Sequence, residues 1–395
     1  STDYDTADTL YFEPLTPEEV WNILEREKPS GVVVQFGGQT AIKLAKPVAD
    51  AGFPILGTGL SDIDAAEDRE RFDELLEQVG LKRPRGFTVF TKEEALKAAE
   101  ELGYPVLVRP SYVLGGQGMT LAYSEQGVAD FMDVICREKQ EHPVLIDKYL
   151  RGKEVEVDAV SDGYDLLIPG IMEHVERAGV HSGDSISIYP AKDISGKLKS
   201  KLIEATKKLA DALHVKGLIN VQYILHNDDV YVIEVNPRSS RTVPFISKVT
   251  GIPLPEVATR AMLGERIAGM GYGTGLAPDA RCVAVKVPVF SLDKLPEVEI
   301  TLGPEMKSTG EVLGLGRTLP EALYKGLCAA GLTLPDHGAV IFSVADNDKN
   351  EMVDLAIDLS VLGYDIFATK GTANVLNQSF VGASVVTKEP GSLSA

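Results

Sequence analysis

Residues 219–241, INVQYILHNDDVYVIEVNPRSSR, decide how this chain folds. Two apolar, β-branched runs flank a polar turn at 226–229, a pattern that predicts a β-hairpin. Side chains alternate along a strand, so Glu234 and Asn236 share one face. If the loop spans about five residues, Gln222 lies opposite Glu234 on that face. A slip of one residue would send Gln222 to the other side of the sheet.

The hairpin carries candidate ligands for a metal ion and for an anion. Gln222, Glu234 and Asn236 would present a row of hard oxygen ligands. Mg²⁺ needs few protein carboxylates, because nucleotide phosphates and water complete its shell. Arg238 and Arg241 follow within one turn, where two guanidinium groups would hold the anion that is made or transferred. The alternative is an ordinary polar surface hairpin.

Length and composition exclude several classes of protein. The 395 residues leave room for roughly two or three domains. A net charge of −19 without a basic patch argues against nucleic acid and an anionic membrane surface as partners. No apolar run reaches the ~18 residues of a membrane span. Three widely separated cysteines and no secretory signal predict a reduced, cytoplasmic protein.

The order of apolar segments predicts a mixed α/β protein. A helix over 18–27, a buried strand over 31–36 and a helix over 41–51 imply a small parallel sheet near the N-terminus. Residues 154–161 alternate in the manner of a strand at a sheet edge. After residue 334 a strand–helix–strand pattern starts again, which predicts a separate βαβ unit.

A glycine-rich loop, RPSYVLGGQGM at 109–119, joins two predicted strands. No Gly-Lys-Ser/Thr follows it, so it is not a P-loop. The chain continues as a strand, which excludes the dinucleotide fingerprint. Backbone N–H groups of such a loop can cover phosphates, although a plain tight turn explains the glycines equally well. Arg109 ends the preceding strand and favours the phosphate interpretation, since a fixed cation suits a polyphosphate.

Two further segments are candidates for nucleotide contacts. Lys148 and Leu150 follow a strand, where an exposed backbone can pair with an adenine edge, and Glu154 can accept from ribose hydroxyls. The loop 179–185 contains His181, which is either a catalytic group or a structural hydrogen-bonding residue. No Ser-His-Asp or Cys-His arrangement is visible in the sequence, which argues against covalent nucleophilic catalysis.

In this order the features resemble an ATP-grasp enzyme, in which two α+β lobes clamp a nucleotide between antiparallel sheets. More narrowly, the sequence is similar to the C-terminal half of the carbamoyl-phosphate synthase large-chain family. The matching segments are TDYDTADTLYFEP, QFGGQT, AEDRERF, RPSYVLGG, IMEHVERAGVHSGDS, NVQY, IEVNPRSSRTVPF and GPEMKSTGEVLGLGRT. The TVPF after the two arginines favours the second synthetase half, which phosphorylates carbamate.

The resemblance implies sites for ATP, for a divalent metal and for phosphate and carbamate. Nucleotide contacts are implied for Arg109, Lys148, Leu150, Glu154, Gly179, Val180, His181, Ser182, Gln222 and Glu234. Mg²⁺ or Mn²⁺ is implied at Gln222, Glu234 and Asn236. The groups that neutralise phosphates and carbamate are implied to be Arg69, Arg238 and Arg241. A potassium ion is implied near His174, Glu176 and Glu154.

The resemblance also implies a domain organisation. A Rossmann-like pre-ATP-grasp subdomain, N-terminally incomplete, occupies 1–66, and an ATP-grasp domain with its extension occupies 67–333. A C-terminally incomplete, methylglyoxal-synthase-like regulatory domain occupies 334–395. The effector phosphate would meet Ser343, Lys349, Thr369, Thr372 and Lys388. We therefore expect a fragment of a longer enzyme, whose partners are a glutaminase subunit or domain, the first synthetase half and a nucleotide effector.

Two other functions stay open at this point. One is another ATP-grasp carboxylate-activating enzyme, such as a biotin-carboxylase-like protein, which HSGDS and the lack of a biotin-domain match disfavour. The other is a non-catalytic nucleotide-binding or regulatory fragment. Formation of ATP from ADP and carbamoyl phosphate by this chain would discriminate between them. The sequence does not choose between pyrimidine and arginine biosynthesis.

Overall fold

A computed structural model describes residues 7–110, 119–137, 143–291, 301–333 and 335–387. The chain divides into two units, Ser1–Gly331 and Leu332–Ala395. In the described parts, no helix has the length and apolar character needed to cross a membrane.

The helices are α1 (Pro17–Glu27), α2 (Gly38–Ile42), α3 (Ala45–Asp50), α4 (Leu60–Glu67), α5 (Arg69–Gln78), α6 (Lys92–Leu102), α7 (Glu125–Arg137), α8 (Gly196–Ala212), α9 (Thr242–Thr250), α10 (Leu254–Met262), α11 (Leu319–Ala329), α12 (Lys349–Val361) and α13 (Lys370–Gln378). The strands are β1 (Gly86–Val89), β2 (Val106–Pro110), β3 (Thr120–Ala122), β4 (Val144–Lys148), β5 (Lys153–Asp162), β6 (Leu166–Ile168), β7 (Ile171–Arg177), β8 (Ser187–Tyr189), β9 (Lys216–His226), β10 (Asp229–Asn236), β11 (Gly275–Leu276), β12 (Val283–Val289), β13 (Gly310–Gly316), β14 (Gly338–Phe342), β15 (Tyr364–Thr369) and β16 (Ser384–Val386).

The first unit contains a small antiparallel sheet, ordered β1-β4-β2-β3 among the described strands. Val106, Val108 and Ile146 point to one face and pack against α6 and α7. Side chains alternate, so Arg109 and Asp147 lie on the opposite face, away from these helices. The small sheet therefore has an apolar face and a charged face.

A larger sheet follows the order β10-β9-β5-β7-β8-β12-β13, with β6 and β11 attached beside β5. The expectation that 154–161 form an edge strand is wrong, because β5 lies between β9 and β7. Its alternation has another cause. Val155 and Val157 face the core under α8, while Glu156 and Asp158 are buried on the other face among polar partners.

The hairpin of β9 and β10 has the expected register, with Glu234 opposite Gln222, but its turn differs from the expected one. The expected loop length is wrong, because the turn consists of Asn227 and Asp228, both with positive φ (50° and 59°). A two-residue turn of this kind matches the twist of the strands. A bulge at Ile233 then shifts the pairing by one residue, and Glu234 pairs with Gln222.

The strand expected at 31–36 is reduced to one parallel bridge, between Val32 and Ile55. The buried side chain of Gln35 instead donates to Thr58 Oγ1 (2.8 Å) and accepts from the backbone N–H of Leu218 (3.3 Å). These bonds attach the N-terminal segment to β9. Gln35, at the end of the run, therefore contributes to tertiary packing and not to the pairing of strands in a sheet.

The second unit contains a parallel sheet ordered β14-β15-β16 in its described part. Phe342, Ile366 and Ala368 belong to a cluster with residues of α12 and α13. This is the strand–helix–strand pattern expected after residue 334.

The tight packing at the start of β9 gives a test of the fold. Gly217 has φ +100°, and a Cβ there would lie 2.3 Å from Gln35 Oε1 and 2.3 Å from Met262 Cε. Gly217→Ala should therefore destabilise the first unit by about 1–3 kcal/mol, measured by denaturant unfolding. Gly196→Ala is the control, since no heavy atom would lie within 4 Å of its Cβ. Equal effects of the two changes would contradict this account of the docking.

Candidate nucleotide and metal site

A row of polar side chains crosses one face of the larger sheet. Residues that pair directly in antiparallel strands place their side chains on the same face. Glu234 pairs with Gln222 and Gln222 with Glu156, while His174 pairs with Ser187 and Ser187 with Lys286. Met172 pairs with Glu156, and His174 lies two residues further along β7, so both halves of the row share a face. The polar row consists of Glu234, Gln222, Glu156, His174, Ser187 and Lys286.

The three predicted metal ligands lie together at one end of the polar row. Asn236 Nδ2 donates to Glu234 Oε1 (2.8 Å), and Gln222 Nε2 donates to Ser182 Oγ (3.0 Å). The amide nitrogens are thus turned to acceptors, and the amide oxygens are the atoms that a hard cation prefers. No cluster of three or more His, Cys, Asp or Glu suited to a metal occurs in the described ranges. A cation here would rely on one carboxylate, two amides and ligand phosphates.

The loop 178–185, between β7 and β8, is tied to the same face. We call it the nucleotide loop. The backbone N–H of Gly179 donates to Glu154 Oε1 (2.9 Å), and Lys286 Nζ donates to the carbonyl of Ser182 (2.9 Å). Gly179 has φ +98°, and a Cβ there would lie 3.2 Å from the ring of Tyr149. The fold therefore brings the predicted residues of β5, this loop and β9 together.

His181 acts in the structure as a hydrogen-bond acceptor. Its Nδ1 accepts from the backbone N–H of Gly183 (3.0 Å), which assigns the proton of the neutral ring to Nε2. Burial is the main cause of its lowered pKa. The charges of Asp184 and Glu234 oppose this effect on the pKa, and the cations of Arg241 and Lys286 add to it. His181 is therefore neutral at pH 7 and lies within electrostatic range of the hairpin's charged groups.

A buried acidic pair beside the polar row escaped the sequence analysis. Asn220 Nδ2 donates to Glu156 Oε1 (2.8 Å) and Asp158 Oδ1 (2.9 Å). Thr242 Oγ1 and Ser240 Oγ lie 2.5 and 2.7 Å from the Asp158 carboxylate. Burial, and then the charge of Glu156, raise the pKa of Asp158 to about 7. The sequence alone does not predict this pair, because the contact of EVEVD (154–158) with NVQ (220–222) depends on the order of the strands in the sheet.

His174 lies inside the protein between two carboxylates. Its Nδ1 is 3.3 Å from Glu154 Oε2 and its Nε2 is 3.6 Å from Glu156 Oε2. Burial lowers the pKa of His174, but the two carboxylates outweigh it and raise the pKa to about 9. Within the described residues, both ring nitrogens, Glu156 Oε2 and Ser187 Oγ lack a well-formed hydrogen bond. Glu176, the third residue of the expected potassium site, accepts from the N–H of Ile186 (2.7 Å).

Lys286 and Glu311 are two further charged residues that the sequence analysis missed. Lys286 is 1% exposed, and Glu311 lies on the same face of the neighbouring strand β13. Burial raises the pKa of Glu311, although the charges of Lys286 and Arg241 act against this shift. Their signal was the alternation of VAVKVPV and GEVLGLG, in which Lys286 and Glu311 are the charged positions.

The remaining predicted residues lie elsewhere. Arg69 and Arg109 both contact Asp147 on the charged face of the small sheet. Lys148 Nζ donates to the carbonyl of Gly103 (2.8 Å), on the side away from Asp147. Arg238 makes a local contact with the carbonyl of Ser239 (3.1 Å).

Several predictions concern residues about whose side chains little is described. Leu150 and Val180 are half-buried, and Arg241, before α9, is exposed. Most of the glycine loop (111–118) lies outside the described residues, as does Lys388.

Two family models match the chain. The carbamoyl phosphate synthase preATP-grasp domain matches residues 1–65, and the carbamoyl-phosphate synthase L chain, ATP binding domain, matches residues 68–269. The second match covers more than half of the sequence. The chain belongs to the carbamoyl phosphate synthase large-chain family. The resemblance to this family that was inferred from the sequence motifs is therefore confirmed.

Relatives in the family extend well beyond this chain. The carbamoyl phosphate synthase large chain of Lachnoclostridium phytofermentans is 60% identical over 391 residues, which are 99% of this chain and 37% of that protein. The large chain of Clostridium perfringens is 54% identical over 389 residues, 98% of this chain and 36% of that protein. The chain thus spans little more than a third of the length of these relatives.

Solved structures outside the family share the fold. An N5-carboxyaminoimidazole ribonucleotide synthetase, solved as an ADP complex, has a TM-score of 0.63 at 18% identity, over 83% of this chain and 86% of that one. The biotin carboxylase domain of Hydrogenobacter thermophilus 2-oxoglutarate carboxylase, solved with MgADP, ADP and bicarbonate, has a TM-score of 0.61 at 18% identity, over 74% and 67%. These structures support the mixed α/β, ATP-grasp-like architecture.

The buried acidic pair of this carbamoyl phosphate synthase family member predicts a pH effect on stability. Asp158 ordinarily ionises near 3.8 but in the folded chain at about 7. Between these values the folded state keeps a proton that the unfolded state has lost, so stability falls as the pH rises. Asp158→Asn should therefore show a smaller decrease in Tm than the unmodified chain between about pH 5 and pH 8. Asp193→Asn, at an exposed acid, is the control, and identical pH profiles for both variants would contradict the assignment.

Proposed function

We propose that the chain catalyses ATP-dependent phosphorylation of carbamate to carbamoyl phosphate. In this proposal it is the second synthetase half of a glutamine-dependent carbamoyl-phosphate synthase, an ATP-grasp ligase of pyrimidine and arginine biosynthesis. The observation that carries the proposal is the pairing of Glu234 with Gln222, whose amide also bonds Ser182 of the nucleotide loop. This pairing links the metal-type residues to the nucleotide-type residues. Family membership supports the substrate.

In the proposed site, ATP binds along the polar face of the larger sheet. Gly179, Val180, His181 and Ser182 would contact it from the nucleotide loop. The bonds from Gly179 to Glu154 and from Lys286 to Ser182 hold this loop before any nucleotide binds, so less conformational entropy is lost on binding.

Gln222, Glu234 and Asn236 fit a divalent cation, because their side chains share one face and the amide nitrogens, not the amide oxygens, make the bonds to Ser182 Oγ and Glu234 Oε1. Mg²⁺ or Mn²⁺ would neutralise charge on the transferred phosphoryl group there. The family suggests ATP with a divalent cation as the working pair, and a potassium ion beside His174 is part of the same proposal.

The chemistry proposed for the protein's own groups is binding and alignment. Carbamate is already an anion, so no general base is required, and the neutral His181 has a binding role. Arg238 and Arg241 would hold carbamate and the transferred phosphate beside the metal-type row. Arg109 would meet the polyphosphate from the small sheet.

The larger organisation is also part of the proposal. We infer a pre-ATP-grasp subdomain at 1–66, an ATP-grasp domain at 67–333 and a regulatory domain at 334–395, in a cytoplasmic enzyme. The glutaminase subunit or domain and the first synthetase half would be partners in the longer protein. A biotin-carboxylase-like function is disfavoured, because identity to the carbamoyl phosphate synthase relatives is 60% against 18% to that carboxylase domain.

A group of side chains in the second unit supports the proposal of an effector site. Lys349 Nζ would lie 3.0 Å from a Cβ at Gly371, in the first turn of α13, and it pairs with Asp346. Thr369 Oγ1 lies 3.3 Å from Thr372 Oγ1, which accepts from the N–H of Val344. A cation and hydroxyl groups at a helix N-terminus suit a nucleotide phosphate. Ser343 neighbours this group.

Glu234→Gln tests the metal-type row. The change keeps the size of the side chain but removes its charge, and a metal ligand supplies several kcal/mol of charge stabilisation. We expect ATP formation from ADP and carbamoyl phosphate to fall about a hundredfold or more. Glu204→Gln, which alters a surface ion pair on α8, is the control and should change the rate little. Near-normal turnover of the Glu234 variant at saturating Mg²⁺ would overturn the assignment.

The effector site is tested on the protein at the full length of its relatives. Lys349→Ala should weaken binding of uridine or purine monophosphate, because it removes the cation beside α13. Asp346→Asn should strengthen binding, because it removes the carboxylate that competes for this cation. Isothermal titration measures both, and we expect the present chain to bind more weakly than the longer protein. Unchanged affinity in both variants would place the effector elsewhere.

A further inference from the structure

The charged face of the small sheet is organised around Asp147. Arg69 donates to its carboxylate from two nitrogens, Nη2 to Oδ1 (2.5 Å) and Nη1 to Oδ2 (3.3 Å). Arg109 reaches the same carboxylate with Nε, 3.1 Å from Oδ2. The paired residue on β1 is Gly86, where a Cβ would lie 1.9 Å from Asp147 Oδ1. One carboxylate thus joins two of the four arginines that were expected to bind phosphate or carbamate.

The two arginines differ in how they are held. Arg69 is bound on several sides, since its Nε also faces Asp73 at 3.7 Å. The contact of Arg109 uses Nε and none of the donors on its two terminal nitrogens. Side-chain exposure rises outward, from 12% at Asp147 through 21% at Arg69 to 35% at Arg109. Arg109 is therefore the solvent-facing end of the cluster.

The cluster carries an excess of positive charge. Arg83 pairs with Asp73 at 2.5 Å, so three arginines share the two aspartates of these ion pairs. The face lies opposite the apolar core of the small sheet. An arginine at the outer end of such a cluster suits an anion, and its fixed guanidinium loses less freedom on binding than a mobile one.

We propose that Asp147 is a positioning residue for the polyphosphate of ATP. It fixes Arg109 so that the terminal N–H groups of that residue bind phosphate, and Arg69 braces Asp147 from the other side. Arg69 then acts through Asp147 and not by direct contact with the transferred phosphate. The inference rests on the proposed function, because it assumes that ATP binds between the small sheet and the nucleotide loop.

The first test compares the affinities of MgATP and AMP by isothermal titration of the 395-residue chain. Asp147→Asn should weaken MgATP by about tenfold or more and AMP by less than about twofold, since AMP lacks the outer phosphates. Asp133→Asn is the matched control. Asp133, on α7, forms an ion pair with Lys92 of α6, and both helices pack on the other face of the small sheet. The control should leave both affinities unchanged. An equal loss for both nucleotides, or no loss, would overturn the positioning role.

A second test does not depend on the folding of Asp147→Asn alone. In an Arg69→Met, Arg109→Met background no cation needs this carboxylate, and adding Asp147→Asn should change the MgATP affinity by less than about twofold. A further loss of about tenfold in that background would show that Asp147 acts without the arginines, and would overturn the proposal. Failure of the unmodified chain to bind MgATP would instead overturn the proposed function, and the positioning role with it.

Discussion

The pairing of Glu234 with Gln222 is the constraint on which the candidate site depends. A strand presents alternate residues to opposite faces, so a shift of one residue in the pairing of β10 would turn Glu234 and Asn236 toward the apolar core under α8. The hairpin turn leaves the strands one residue out of this pairing, and the bulge at Ile233 corrects it. The bulge is therefore part of the site, because without it the oxygen ligands would point to opposite faces.

The same face explains why so many charged groups can be buried in one sheet. A lone buried charge is costly, but a paired and hydrogen-bonded one is tolerated. Asn220 and Thr242 both donate to Glu156 Oε1 and to the Asp158 carboxylate, and Glu154 and Glu156 flank His174. These groups form a preorganised polar surface, on which the polyanion and cations of the proposed function would meet fixed partners and not mobile side chains.

Local pattern was enough to predict the hairpin, the first helix and the restart after residue 334. It failed where long-range pairing decides. The alternation of 154–161 is the same for an edge strand and for a central strand with a polar face, and only the neighbouring strands distinguish them. Asp147 was missed for a similar reason. The positioning role that we propose for it depends on its contact with Arg69, which is 78 residues away along the chain, and no spacing rule connects the two residues.

The candidate site has two parts, and the linker between β4 and β5 connects them. Arg109 and Asp147 belong to the small sheet, whereas Gln222 and Glu234 belong to the larger one. Tyr149 contacts both sides, because its backbone N–H donates to the carbonyl of Pro105 (3.2 Å) and its hydroxyl donates to the carbonyl of Ala178. One linker residue therefore ties the small sheet to the nucleotide loop. A nucleotide held by both parts would meet its phosphate groups and its metal-type ligands in a geometry that Tyr149 helps to set.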